Sequence, residues 1–355
     1  MGNRQFKKEV NSHWSFTILY SLFIFHFSFF IIHYSLFTTH NSQLTILIAA
    51  QSSHKISLVG FIITFAGAVF FSTKAIFVKL AFAGTITDAL SLLTLRMIFA
   101  LPFYLVVAFV YGQKKENVKI SRREWVYVIT LGLFGYYFSS LLDFTGLQYI
   151  SAGLERLILF LYPTFAVLIN VFVFKQHISK KQMVALLLTY AGIAYAFYGE
   201  VNLDQINPNL YRGSFLVFLC AVTYSIYIAG SGKVIPLVGA AKFTAYAMLA
   251  ATTGIFIHFV LRGNFQHLNS GSGLWWYGLL LGVVATVLPS FMISYGLKKI
   301  GSNNVAIISG IGPVSTIIQA HLVLGEQIFF EQLAGTALVV IGVLLIGWKG
   351  SRTET

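Results

Sequence analysis

From Leu58 onward the chain is a succession of ten apolar runs separated by short polar or glycine-rich breaks. They extend over Leu58 to Phe82, Ala89 to Tyr111, Trp125 to Phe144, Leu154 to Phe174, Met183 to Tyr198, Gly213 to Ile228, Phe243 to Leu261, Trp275 to Tyr295, Val305 to Leu324 and Leu333 to Trp348. A bilayer core about 30 Å thick takes roughly 20 residues of helix to cross. The runs therefore predict an all-α polytopic membrane protein with ten transmembrane helices. Composition leaves no room for a soluble fold, since 57% of the residues are hydrophobic and only 10% are charged, against about 25% charged in soluble domains. The single cysteine, Cys220, excludes an intrachain disulfide and a cysteine-based metal centre, and no cofactor or metal is expected. The net charge of +13 reads as retained cytoplasmic loops, not as a nucleic-acid partner.

The runs fall into two sets. Leu147 to Gly199 lies on Leu297 to Lys349 without a gap at an offset of 150, which pairs Pro163 with Pro313, Gln182 with Gln332 and Gly192 with Gly342. The same offset pairs Trp125 with Trp275, Gly132 with Gly282 and Ser140 with Ser290, while an offset of 153 pairs Ser72 with Ser225. Proline, glycine and tryptophan coinciding in one register point to two copies of a five-helix unit, at 57–200 and 201–350, followed by a tail at 351–355. Five is odd, so the second copy enters the membrane from the opposite side. Loop charge agrees. With Leu58 starting inside, the inner loops hold five cations between Lys114 and Arg123, three between Lys175 and Lys181, and then Lys233, Lys242, Lys298, Lys299, Lys349 and Arg352. The outer loops and nearby helix ends hold Arg156, Arg212 and Arg262. By the positive-inside rule the C-terminus is cytoplasmic, and the expected location is the plasma (inner) membrane. Inverted repeats are a recurrent plan of secondary transporters, with the substrate site near the midplane between the copies.

Residues 1–56 stand outside this plan. From His26 they read His-Phe-Ser-Phe-Phe-Ile-Ile, His-Tyr-Ser-Leu-Phe-Thr-Thr and His-Asn-Ser-Gln-Leu-Thr-Ile, a period of seven residues without the charges of a coiled coil. A tandem repeat of seven bases has a seven-codon period when read through, so this low-complexity stretch reads as translated upstream DNA, a mis-assigned start or a dispensable extension. The alternatives are an extra spanning helix or an uncleaved signal-like segment. The histidines His26, His33 and His40 follow from the repeat and do not require a metal site.

A charge at a helix centre costs about 2.5–3.5 kcal/mol on insertion scales, so each needs a partner, a water cavity or a function. The candidates are Lys74, Lys79, Arg96, Asp143, Glu155 and Arg156. At about 1.5 Å per residue, Lys74 and Arg96 lie roughly 10–12 Å below the outer ends of their helices. Lys79 is near the interface and suited to snorkelling. Glu155 and Arg156 point about 100° apart and serve different partners. Two readings stand: Lys74 or Arg96 is neutralised by Asp143 or Glu155 in a structural ion pair, or Lys74 and Arg96 receive an anionic group while Asp143 or Glu155 takes an amine or a proton. The second copy has Tyr227 opposite Lys74 and no cation near the place equivalent to Arg96. A lopsided cavity of this kind suits a polarised solute.

Three stretches stand out together: Phe71-Ser72-Thr73-Lys74-Ala75-Ile76-Phe77-Val78-Lys79-Leu80, Leu95-Arg96-Met97 followed by Pro102, and Gly146-Leu147-Gln148-Tyr149-Ile150-Ser151-Ala152-Gly153-Leu154-Glu155-Arg156. On these motifs the chain carries a family resemblance, for it resembles the EamA-type permeases of the drug/metabolite transporter superfamily. Leu161-Tyr162-Pro163-Thr164, Gly312-Pro313 and Gly325-Glu326-Gln327 extend it over Leu58 to Gly350. It implies a proton- or exchange-driven transporter of metabolites, often an exporter of amino acids and related compounds. One departure is Gln176, which stands where the second copy has Glu326. Pro163 and Pro313 occupy equivalent helix-kink positions, and with Gly310 and Gly312 they could offer backbone to a solute. Asn303 and Asn304 suit a helix cap. His258, Gln319 and His321 read as hydrogen-bonded packing groups. Gly335, Gly342 and Gly347 allow close helix contact and are the candidate seam of a homodimer.

A membrane enzyme acting on a lipid-linked substrate is the alternative function, but no phosphate loop, histidine–glutamate zinc motif or nucleophile elbow supports it. A channel would require a symmetric ring of charges or carbonyls. The expected partners are a small-molecule solute and the lipid bilayer.

Overall fold

The computed structural model describes residues 58–113, 120–162, 164–165, 168–169, 180–203, 207–268, 271–293, 295–296, 299, 308 and 311–347. Residues 1–56, Pro163, Gln176, Asn303, Asn304 and Gly310 lie outside them, as do most of the inner-loop lysines.

Among the described residues every regular element is helical: α1 Leu58–Gly84, α2 Ala89–Gly112, α3 Arg122–Gly146, α4 Ala152–Leu159, α5 Lys180–Leu203, α6 Leu210–Val238, α7 Ala240–Arg262, the single turn α8 Phe265–Leu268, α9 Gly273–Ile293, α10 Gly312–Leu324 and α11 Phe330–Gly347. By length and composition α1, α2, α3, α7, α9 and Leu210–Ser231 of α6 can each cross a membrane. Leu58, Ile62, Phe109, Leu187, Val260, Leu261, Leu322 and Phe330 are among the large apolar side chains left exposed, as expected where the solvent is lipid.

Helix starts follow local chemistry. Asp88 accepts the Ser91 N–H at 2.7 Å to begin α2, and Ser121 and Glu124 form a reciprocal capping box on α3. The Gly213-to-Ile228 run is longer than its apolar count implies. Its helix continues through the Gly230-Ser231-Gly232-Lys233 break to Val238 and stops at Gly239, whose φ of 89° leaves the helical region. A polar break lowers hydropathy without removing backbone hydrogen bonds, so the ladder runs on.

The packing repeats when the halves are exchanged: α1 lies on α9 as α6 lies on α3, and α1 meets α10 as α6 meets α4. Corresponding helices also pack on each other, α2 on α7 and α5 on α11. They run antiparallel. Asp88, at the start of α2, contacts His267 beyond the end of α7 at 3.0 Å, while Gly112 at the end of α2 approaches Tyr246 at the start of α7. Gly192 likewise faces Gly335, and Gly199 faces Glu331. Gly335 is thus spent inside the chain: a methyl group there would meet the Gly192 carbonyl oxygen at 2.4 Å. That contact removes it from the homodimer seam expected of the last helix.

Both α3 and α9 contain a π-helical stretch at corresponding places, Leu133–Phe138 and Leu280–Val287. Just before the first, Gly132 abuts the Ala247 backbone, and within the second Gly282 abuts the Arg96 carbonyl. The missing side chains let α3 approach α7, and α9 approach α2, to backbone contact.

Candidate functional site

The buried charges collect where helices of the two halves meet. Ser72 donates to the carbonyls of Ala68, at 2.9 Å, and of Gly312, at 3.2 Å, tying α1 to the start of α10. Half a turn on, Lys74 Nζ lies 2.7 Å from Asp143 Oδ2 of α3 and 3.4 Å from Glu155 Oε1 of α4. Asp143 and Glu155 are almost wholly enclosed. One ammonium therefore serves two carboxylates, and Asp143 Oδ1 and Glu155 Oε2 have no hydrogen-bond partner among the described residues. This is the ion-pair arrangement of the two readings open for Lys74.

Arg96 has neutral partners. Its Nε donates to Thr286 Oγ1 of α9 at 2.9 Å and its Nη1 to Ser140 Oγ of α3 at 3.1 Å, while the guanidinium stands 5.5 Å from the centre of the Phe144 ring. The π-helical stretch of α9 shapes this contact, because Thr286 Oγ1 donates to the Leu281 carbonyl five residues back and so turns a lone pair toward Arg96. Ser290, the counterpart of Ser140, is 3.4 Å from the Tyr104 hydroxyl. Tyr227, opposite Lys74 in the repeat, is bound to Tyr136 at 2.9 Å. The corresponding place in the second half is therefore an aromatic hydroxyl pair, with no ion pair there among the described residues.

Glu155 and Arg156 do diverge. Glu155 meets Lys74, whereas Arg156 lies 5.4 Å from the centre of the Phe71 ring and so close to Gly312 that a Cβ there would be 2.8 Å from its Nη2. No carboxylate lies within ion-pair distance of Arg96 or Arg156 among the described residues. Pro313 occupies the first turn of α10, where a missing N–H costs nothing; there it begins a helical segment.

A contact invisible in the sequence positions α4. Gly325, at φ 71°, ends α10 in a left-handed turn. This brings Glu326 to the start of α4, where Ala152 N–H donates to Oε1 at 2.9 Å and Gly153 N–H to Oε2 at 3.3 Å. A carboxylate from the second half thus caps the helix carrying Glu155 and Arg156. Lys79, half-buried, donates to the Ile150 carbonyl at 2.9 Å. His258, Gln319 and His321 each make a hydrogen bond, to Tyr137, Ser315 and the Glu326 carbonyl respectively.

Stacked apolar helices with an enclosed ionic cluster between two corresponding halves define an integral, multi-pass membrane protein. The chain belongs to the EamA-like transporter family, whose model matches residues 58–198 and again 211–348. It is a membrane transporter and not an enzyme. It is 29% identical to the uncharacterized transporter YcbK of Bacillus subtilis over 85% of this chain and 97% of that protein. It is 24% identical to the uncharacterized transporter YyaM of the same organism, over 68% of this chain and 78% of that one. A protein of known crystal structure aligns at a TM-score of 0.58 with 18% identity, covering 83% of this chain and 98% of that chain; the likeness is one of fold.

Proposed function

We propose that the protein is a secondary transporter that exports a small polar metabolite, an amino acid or a related compound, by alternating access. Ten spanning helices form two inverted five-helix repeats, at 57–200 and 201–350, in the plasma membrane with the C-terminus cytoplasmic. The partners are the solute and the surrounding lipid. Lys74, Arg96, Asp143, Glu155 and Arg156 line the substrate path, and Gly312 and Pro313, with Pro163, form the helix breaks beside it. The observation that carries this reading is the gathering of all five charges, each less than a tenth exposed, at a junction of α1, α2, α3 and α4 with α9 and α10. Such groups are costly in a membrane and mark transport pathways. The free oxygens of Asp143 and Glu155 suit a coupling proton or a substrate amine, and the two arginines suit an anionic group.

The test is gradient-driven movement of amino acids and related metabolites in vesicles containing the full chain. Lys74→Met and Arg96→Gln are expected to abolish transport while the proteins still insert. Normal transport by both variants would make these residues structural, and failure of every metabolite to move would remove the transporter reading.

A further inference from the structure

Of the three cations in the cluster, Lys74 has two carboxylates and Arg96 has two hydroxyls, while Arg156 has neither. Its Nε is buried without a hydrogen-bond partner among the described residues, and the whole residue is 7% exposed. A guanidinium presents a planar fork of donors matched to a carboxylate. Among the described residues the fork stands against the Phe71 ring and the bare backbone of Gly312, whose carbonyl already accepts from Ser72. Three cations face two anions in this cluster, so it carries one positive charge more than its own side chains balance.

Other unsatisfied groups lie close by. Thr316 is one turn beyond Gly312 on the same face of α10, and its hydroxyl is buried without a partner among the described residues. Gln332 of α11 packs its amide against Gly153, one turn before Arg156 on α4, and its Oε1 likewise has no partner among the described residues. Buried polar groups in native proteins are almost always hydrogen-bonded, so orphans from three helices in one neighbourhood mark a place completed by something else.

We infer that Arg156 is the receptor for a carboxylate on the transported solute, which docks at the junction of α1, α4 and α10. The inference rests on the transporter reading and specifies its substrate class: amino acids and organic acids, recognised at the carboxylate end. Gly312 is part of the site because any side chain there would displace the guanidinium. Arg96 lines the same path with two of its donors already committed to Thr286 and Ser140.

The test uses the full chain in liposomes treated with phenylglyoxal, which modifies accessible arginines, with labelling of the Arg156 peptide followed by mass spectrometry. Probes are the proteinogenic amino acids, short mono- and dicarboxylic acids, and the carboxamides of both sets. The expected result is that Arg156 is modified and that at least one acid slows modification about tenfold while its carboxamide does not. An unreactive Arg156, protection by no acid, or equal protection by acid and amide overturns the inference. Counter-transport of the same panel separates it from the reading beneath it. If solutes move and Arg156→Gln moves them as fast as the parent, the receptor assignment fails and the transporter stands. If protection holds and no solute moves, the carboxylate site stands and the transporter reading fails. Arg156→Lys controls for folding: a properly inserted protein that keeps the charge is expected to lose most of the carboxylate selectivity, because an ammonium lacks the fork.

Discussion

At the scale of single residues, Lys74 is held by charge balance. Replacing it with Met leaves Asp143 and Glu155 facing each other in a place that encloses both almost completely. Removing one partner of a buried ion pair costs about 3–5 kcal/mol, so Lys74→Met is expected to lower the melting temperature of the detergent-solubilised protein well below that of the parent. Adding Asp143→Asn and Glu155→Gln to Lys74→Met removes the stranded charge and is expected to restore stability without restoring transport. Recovery of transport in the triple variant would show that the cluster serves packing alone. Gly312→Ala acts differently. Its methyl meets only the far end of a flexible side chain, Nη2 of Arg156 at 2.8 Å, so the fold accommodates it and the guanidinium moves. The expected outcome is near-normal thermal stability with a raised KM for the solute and little change in maximal rate, read from initial rates in vesicles. These roles were only partly legible beforehand. Residue type within or at the ends of apolar runs singled out these five charges together with Lys79, and counting along the helices placed Lys74 and Arg96 at similar depth. Which of Asp143 and Glu155 would meet Lys74, and that both do, depends on how neighbouring helices are rotated about their axes, and a run hydrophobic all round carries little record of that rotation.

At the scale of elements, α4 is a short helix whose first donors are claimed by a carboxylate 173 or 174 residues away in sequence. Loss of a helix N-cap costs about 0.5–2 kcal/mol, and the positive end of the helix dipole adds to the attraction. Glu326→Ala is therefore expected to lower stability by about that amount. Hydrogen exchange at Ala152 and Gly153 should accelerate more than exchange in α2; a uniform acceleration would mean that Glu326 supports the bundle generally. The helix interfaces make a paired prediction. Gly282→Ala drives a methyl to 2.7 Å from the Arg96 carbonyl oxygen, and Gly132→Ala drives one to 2.4 Å from that of Ala247. Neither backbone can step aside, so each should cost about 1–3 kcal/mol by overpacking, with similar melting shifts because the two contacts correspond. The glycines were legible as a pair in the repeat. The π-helical stretches in α3 and α9 were not, because a change of hydrogen-bond register leaves the hydrophobic pattern almost untouched. The cap by Glu326 was hidden for another reason: it needs the turn at Gly325 and the packing of α11 beside α4, neither of which is encoded within α4.

At the scale of the whole molecule, antiparallel packing of corresponding helices ties the architecture to a topology. Gln113, at the end of α2, and Asn264, just past the end of α7, are both exposed. They lie at opposite ends of the α2–α7 pair, because Gly112 approaches Tyr246 while Asp88 approaches His267. The proposed five spans per repeat would require this inversion, and the surplus of Lys and Arg after α2 predicts a cytoplasmic end for it. The single cysteine makes the arrangement easy to probe: Cys220 is buried, and Cys220→Ser supplies a cysteine-free background. In it, Gln113→Cys should react with a membrane-impermeant maleimide only in inside-out vesicles, and Asn264→Cys only in right-side-out ones. Labelling of both from one side would leave α2 and α7 unable to span the bilayer as antiparallel partners, and the two-repeat transport scheme would fall with them. Opposite labelling would fix the cluster of Lys74, Asp143, Glu155 and Arg156 between two halves of opposed orientation, so that rocking one half against the other exposes the same charges to each side in turn.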